Sequence, residues 1–587
     1  TPVIKDINET TASISVEYQI TSQNSDGDTE LYDVKEFYRM RYLDTRIYLL
    51  DFQRSANQVF DGTLPVYSDD GIILGVRDKN VEYMMNDSAT VLAFVQEGDL
   101  WSYSPGNGKV NQVFSFRKTE DGDFRDSRIQ HDIKIVRVTD AGDIDFVLYG
   151  YMNRGSHEGY EGIGVYHYNP DKNVAEERAF IPVSESFEFL KKDLEKLSYV
   201  NEENELFLLL AKSLYKINIE DNSSEVLEEG IKNANFVSSD NNDHAAWLVS
   251  EGDEKGNIKE INFDTGETRL IEHEKGKRLR AVGFMNEDLI YGILNKSDIL
   301  TDEDGHKSEG ISILRIEDFD GNVKKEYQKD GLYITDISVG STLIEFELSA
   351  KSGDTSYVAQ KKDNIMNNKK ATENTVKIEL VSASRTGVRV KLALNGTAQT
   401  DSPLTMYAKV SSTNQKDIVL DTQIPQESTY YVYGQGGLDS IYTDPAKAIL
   451  QADALGGVVL NRAQQYIWER GNKKTKTQMD TAELPEAILA GTMDIKTLKK
   501  SVKKTGTVID LTGCSLDSVL YEVSAQRPVI AKTGSDTSVV IVGYDEYNTY
   551  LYDPVKKETY PYGMNDSTDL FQKAGNVFIT YVESVSY

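Results

Sequence analysis

Asp99-Leu-Trp-Ser-Tyr-Ser-Pro-Gly-Asn-Gly-Lys-Val110 alternates apolar and polar side chains, breaks at a Pro-Gly-Asn-Gly turn, and resumes the alternation. Period-two alternation puts one set of side chains on each face of a strand, and Gly or Asn in the turn supplies the positive φ that a tight hairpin requires. The phrase recurs at Gly164 to Val174, Ser213 to Asn222, Asn257 to Gly266 and Ser312 to Val323, and Met406 to Val419 reads as a further copy. Most copies follow another apolar stretch: Ala89 to Val95, Phe146 to Gly150, Glu205 to Leu210, Ala245 to Val249 and Leu289 to Leu294. Each unit thus holds three or four strands, and a spacing of about 45 to 65 residues suits four-stranded propeller blades with variable inserts.

The expected fold of residues 1–425 is an all-β propeller of about seven blades. Ring closure joins first and last strands in one blade, and Ala12 to Tyr18 is the candidate closing strand. Two unrelated β-sandwiches would also give strands at this spacing, but the likeness between hairpins favours the propeller. Tyr32 to Tyr42 reads as a helix, an entry element or cap whose aromatics fall at helical spacing.

The chain of 587 residues, 39% hydrophobic, has enough apolar material for two to four domains with real cores. Its 95 acidic against 64 basic residues give a net charge of -31, which repels nucleic acid and anionic lipid surfaces. A single cysteine excludes an internal disulfide framework or a thiolate metal cluster, and no cofactor or metal is expected. Cysteine poverty with abundant Tyr, Asn, Asp and Lys suits the outside of a Gram-positive cell. No window reaches the length of a spanning helix. The sequence begins at Thr1 without a signal peptide, so the expectation is an extracellular, cell-surface protein whose membrane anchoring, where present, runs through a segment absent from this chain.

After Gln423-Ile-Pro-Gln-Glu-Ser428 the texture changes, and residues 426–587 read as an α+β domain. Asp444 caps a helix with Pro at its first turn, Leu484 to Leu489 is a short helix, and Ser515 caps a third. Strands follow at Pro528 to Ala531, Ser538 to Val542, Thr549 to Tyr552 and Val577 to Tyr581, which makes an antiparallel sheet.

The runs Arg527-Pro-Val-Ile-Ala531, Thr537-Ser-Val-Val-Ile-Val-Gly-Tyr-Asp545, Tyr550-Leu-Tyr-Asp-Pro-Val555 and Leu570-Phe-Gln-Lys-Ala-Gly-Asn-Val-Phe-Ile579 resemble papain-like cysteine peptidases of the bacteriocin-processing type. The resemblance spans residues 431–582. It implies a helix-borne cysteine nucleophile, a histidine base opening the strand before Gly-Tyr, an Asp before Pro that orients the histidine, and an upstream glutamine for the oxyanion. In this sequence the Asp is similar to Asp553 and the glutamine to Gln435, but Thr443 stands where the cysteine would be and Thr537 where the histidine would be. A threonine hydroxyl takes up no proton near neutral pH, and none of the six histidines lies after residue 306. Cys514 falls on a later helix and reads as a small buried or half-buried thiol; Asp553 reads as a turn former.

Other constellations are weaker. Asp26-Gly-Asp28, Glu120 to Asp123, Asp140 to Asp143 and Asp302 to Gly305 are acidic loops without the ligand spacing of a calcium-binding EF-hand loop, and read as solvated turns. His157 and Tyr160, in Arg154-Gly-Ser-His-Glu-Gly-Tyr-Glu-Gly-Ile-Gly164, are candidates for a binding loop, the rival reading being a hairpin tip. Trp468 is a candidate peptide anchor if exposed and a core residue if not. The resulting expectation is a non-catalytic binding protein, a propeller joined to an inactive peptidase-like domain, with a peptide, a partner protein or cell-wall material as ligand. The alternative is a hydrolase, using carboxylates on the propeller or a histidine borrowed from it.

Overall fold

The computed structural model describes all residues except 1, 25–26, 118–122, 128, 232–234, 250–254, 302–306, 341, 368–375, 384, 396–403, 413–416, 421–428, 463, 503–505, 535–536 and 584–587. Among the described residues, seven successive sheets whose chain-sequential strands pair antiparallel lie before the C-terminal part. They start at Tyr83, His131, Ser198, Phe236, Lys277, Tyr333 and Val376; the third and fourth are simple four-stranded meanders, and the fifth carries an inserted two-stranded hairpin between its second and third strands. All five hairpin phrases supply the third and fourth strands of a sheet, and positive φ falls on Gly108, Asn173, Asn222, Gly266 and Gly321 in their turns.

The sheets pack face to face as in a β-propeller. Leu206 and Leu208 of the third meet Val147 and Ile163 of the second, Trp247 of the fourth meets Phe207 of the third, and Phe346 of the sixth meets Leu314 of the fifth. Such side chains each contribute about 1.5 to 3 kcal/mol by leaving water, so these inter-sheet layers are the core of the ring.

Ring closure departs from expectation. Ala12 to Tyr18 lies within the strand Thr11–Gln23, which belongs to a separate four-stranded sheet over residues 2–58. The closing strands are instead Gly71–Ile73 and Tyr67–Ser68, which join Val376–Ala383 and Gly387–Leu394 in the seventh sheet. Ile72 pairs with Leu392, and both are wholly buried against Leu92 and Phe94 of the first sheet. A three-residue strand carries too little periodicity to be seen in sequence, yet here it closes a ring.

Tyr32 to Tyr42 is not a helix but the middle of the 15-residue strand Thr29–Leu43, hydrogen-bonded along its length to Thr11–Gln23 and Arg46–Gln58. Two long neighbours satisfy its backbone on both sides, and its aromatic and branched residues suit a sheet surface. Met406 to Val419 is not a hairpin either. Leu404–Tyr407 and Lys409–Ser412 lie parallel to the outer strands of the first and second sheets, adding a fifth strand to each.

The C-terminal part contains helices Pro445–Leu455, Glu486–Leu489 and Leu516–Ser524, as read from the caps, together with Ile495–Val502 and Met564–Lys573. A seven-stranded, wholly antiparallel sheet contains the four expected strands. The boundary placed between residues 425 and 426 lies outside the described residues. The N-terminal sheet joins the two regions: the Arg39 guanidinium donates to the carbonyls of Gly456 and Arg470, and Tyr466 donates to Asp6. On the other side, Asn57 donates to Glu97 and Arg117 pairs with Asp33.

Candidate functional site

Each peptidase-like position has a local cause. Asp444 accepts hydrogen bonds from the Ala446 and Lys447 amides, Pro445 presets the first turn, and Gly456 ends the helix in the left-handed region. Thr443 is therefore exposed immediately before the cap. Gln435 is exposed at the tip of the hairpin joining Tyr430–Gly434 to Gly437–Tyr442, with φ of 52°. Thr537 is exposed just before strand Ser538–Tyr544, where its hydroxyl accepts from Thr533 at 2.9 Å.

Asp553 ends the neighbouring strand. Its Oδ1 accepts from the Val555 and Lys556 amides at 2.9 and 3.0 Å, so it caps its own turn. The Lys556 amide above all, then that of Val555, holds this carboxyl below its usual range. Register places Val540 opposite Tyr552, so Thr537 and Asp553 share one end of the sheet.

Cys514 is completely buried, two residues before helix Leu516–Ser524, which Ser515 caps by accepting from the Ser518 amide. Its Sγ lies 4.0 Å from the Ala446 carbonyl, under the first turn of the helix that Thr443 precedes. Burial, with the nearby carboxyls of Glu522, Asp444 and Asp510, pushes the thiol up to about 12, so it is neutral at any physiological pH. The strand it follows, Gly506–Asp510, is separated from Ser538–Tyr544 by two others, about 14 Å at the usual strand spacing. Register sets Asp510 opposite Ile579, Ile579 opposite Ile530 and Ile530 opposite Val540, so Cys514 and Thr537 lie toward the same end of the strands but three strand spacings apart across the sheet.

Trp468 is 3% exposed, and its indole N–H donates to the Ser518 carbonyl at 3.0 Å. The exposed-anchor reading is corrected: the sheet face that carries it packs on helix Leu516–Ser524, and nothing of the ring is left for a peptide. His157 and Tyr160 share one turn, in which the Tyr160 amide donates to the His157 carbonyl at 3.1 Å. The His157 ring stacks on Phe180, and its Nε2 lies 2.9 Å from Glu177, which also accepts from Tyr166 and Ser412. Tyr160 stands 62% exposed on the same loop.

A site with no sequence signature lies where the N-terminal sheet, the first two propeller sheets and helix Phe187–Leu194 meet. A cavity of about 390 Å³ is lined there by Asn57, Glu82, Glu97, His131, Asp132 and Lys191, among others. Burial raises Glu82 and Glu97 above the usual carboxylate range. Behind them, burial lifts Asp99 to about 6 despite its ion pair with Arg117, and lowers His131 to about 4. These residues come from five separated segments, so no spacing could announce them.

Among the described residues no group of three or more His, Cys, Asp or Glu is placed to hold a metal. The Asp140 loop is a turn in which Asp140 accepts from Ser88 and Asn86. Asp26, residues 120–122, residues 302–305 and His306 lie outside the described residues. No described helix is long and apolar enough to cross a membrane.

No family model matches the chain, and no curated protein matches it. Among solved structures, a C39-like peptidase of Bacillus anthracis is 22% identical over 16% of this chain and 58% of that one, with a TM-score of 0.14. Dipeptidyl peptidase 4 of Porphyromonas gingivalis is 9% identical over 56% of this chain and 60% of that one, with a TM-score of 0.27. The tricorn protease is 13% identical over 69% and 43%, with a TM-score of 0.28. This chain spans less than two thirds of each of these three. At such identities and scores the likenesses carry no functional argument.

Proposed function

We propose that the chain is a non-catalytic, extracytoplasmic binding protein of a Gram-positive cell surface: a seven-bladed propeller joined to a papain-like domain that has lost its catalytic groups and holds a peptide, protein or cell-wall ligand. One observation carries the reading. The single thiol of the chain is buried, neutral, and in contact with a backbone carbonyl rather than a base. Thr537 and Asp553, at positions that would supply the base and its orienter, spend their polar atoms on the local turn structure. Surface location is supported by the lack of any second cysteine and by the acidic charge.

The test is a pair of assays on the full chain. A thiol-reactive probe is expected to leave native Cys514 unlabelled and to label it in urea, and a pooled peptide substrate is expected to remain uncut. Turnover abolished by Cys514→Ala would overturn the proposal. The hydrolase alternative has its own support in the raised Glu82 and Glu97 carboxyls, which face one cavity. It requires turnover that is lost in Glu82→Gln or Glu97→Gln and kept in Cys514→Ala.

A further inference from the structure

A cavity of about 750 Å³ is lined chiefly by the fifth and sixth propeller sheets, with Asn235 and Leu248 of the fourth-sheet region at one side. Arg278 and Arg280 of the inner strand Lys277–Met285 contribute to its wall. Two positions apart on a strand, they point to the same side, about 7 Å from one another along it. Leu279 and Ala281 alternate with them and pack toward the fourth sheet, so the arginines look toward the sixth. Opposite Arg280 stands Gly292, over which the apolar side chain of Ile311 packs, so that rung offers the guanidinium no polar partner.

Neither arginine makes a hydrogen bond or ion pair with a described residue. Other arginines of these propeller sheets do: Arg137 pairs with Asp145, Arg269 with Glu260 and Glu317, and Arg315 with Glu326. Both arginines are exposed and neither is paired with a described residue, although Glu309 and Glu347 line the same cavity, so their guanidinium groups are open to an anion from outside. The facing wall carries Thr335 and Ser349, whose hydroxyls bond each other at 2.7 Å, and the half-buried Glu347. Glu309 lies at the rim. Two guanidinium forks suit a carboxylate or a phosphate. The facing glutamates repel a phosphate-rich ligand and pair with an amine, and the volume is that of a small-molecule or short-peptide pocket.

We propose that this cavity binds a short peptide, gripping its carboxylate between Arg278 and Arg280 and meeting its amine with Glu347. The inference rests on the binding-protein reading and names the ligand class and the place. It is tested by passing pooled random tetrapeptides, as free acids and as C-terminal amides, over the immobilised full chain. The free acids are expected to be retained at least tenfold better than the amides, with retention lost in Arg278→Gln and in Arg280→Gln. Retention is expected to persist in Arg178→Gln, which removes an exposed arginine of the second sheet. Circular dichroism and thermal unfolding identify any variant that fails to fold; for such a position Arg→Lys replaces Arg→Gln, with the fork lost and the charge kept. Equal retention of the two pools, retention of neither, unchanged retention in both folded arginine variants, or full displacement by millimolar inorganic phosphate would overturn the proposal. None of these outcomes touches the thiol and turnover assays above, so failure here and failure of the non-catalytic reading are separable.

Discussion

His131→Gln is expected to change how stability depends on pH. The His131 ring is buried, with its edge on Phe116, and its Nε2 lies 3.0 Å from the Gly98 carbonyl. The neutral ring donates that bond, and burial lowers the group from 6.5 to about 4. Below pH 6.5 the unfolded chain takes up a proton that the folded chain refuses until about pH 4. Its contribution is therefore complete above pH 6.5 and is lost as pH falls toward 4. Two and a half pKa units at about 1.4 kcal/mol each make this loss about 3 kcal/mol.

Asp99, one residue beyond Gly98, works in the opposite sense. Burial raises it from 3.8 to about 6, so the folded state holds a proton that the unfolded state releases, and about 3 kcal/mol of stability is gained as pH falls from 6 to 4. Between pH 4 and 6 the two sites nearly cancel. Glutamine keeps an N–H donor but does not titrate, so His131→Gln costs a fixed amount at pH 7 and that gap to wild type shrinks by about 3 kcal/mol at pH 4. Asp99→Asn is expected to do the reverse and steepen acid unfolding. Urea denaturation at four pH values, followed by tryptophan fluorescence, reads both. A gap between His131→Gln and wild type that stays constant from pH 7 to 4 refutes the account.

Three further expectations concern the architecture. Ile72→Ala removes a wholly buried side chain from the three-residue closing strand and should cost about 2 to 5 kcal/mol, read as a lower urea midpoint, with new protease cleavage near residue 72. Arg39→Met leaves the Gly456 and Arg470 carbonyls without their charged donor and should loosen the C-terminal domain by about 2 to 3 kcal/mol, seen as an early step in the tryptophan fluorescence, ahead of the far-ultraviolet circular dichroism of the β-sheets, that disappears when Trp468 is also replaced by Phe. Trp468→Phe keeps most of the apolar volume but removes the indole N–H bond to the Ser518 carbonyl, which the helix already pairs, at a cost of about 0.5 to 1.5 kcal/mol; an unchanged urea midpoint would contradict its placement in the core.

Local chemistry by itself determined the repeat. The turns at Gly108, Asn173, Asn222, Gly266 and Gly321 need positive φ, and Gly and Asn are the residues that take it cheaply, so five hairpins were legible from single phrases. The caps at Asp444 and Ser515 were legible for the same reason, because a side-chain oxygen placed one residue ahead of a helix satisfies amides that have no other partner. Long-range pairing decided the rest. Residues 71–73 close the ring only because residues 387–394 lie beside them, and Thr29–Leu43 is a strand only because two long neighbours satisfy its backbone. The burial of Trp468 and Cys514, and the meeting of Glu82, Glu97, His131 and Lys191 in one cavity, depend on contacts between segments far apart in the chain. A backbone dihedral preference is a property of one or two residues and is written where it acts, whereas burial and electrostatic environment are properties of neighbours that only the folded chain supplies.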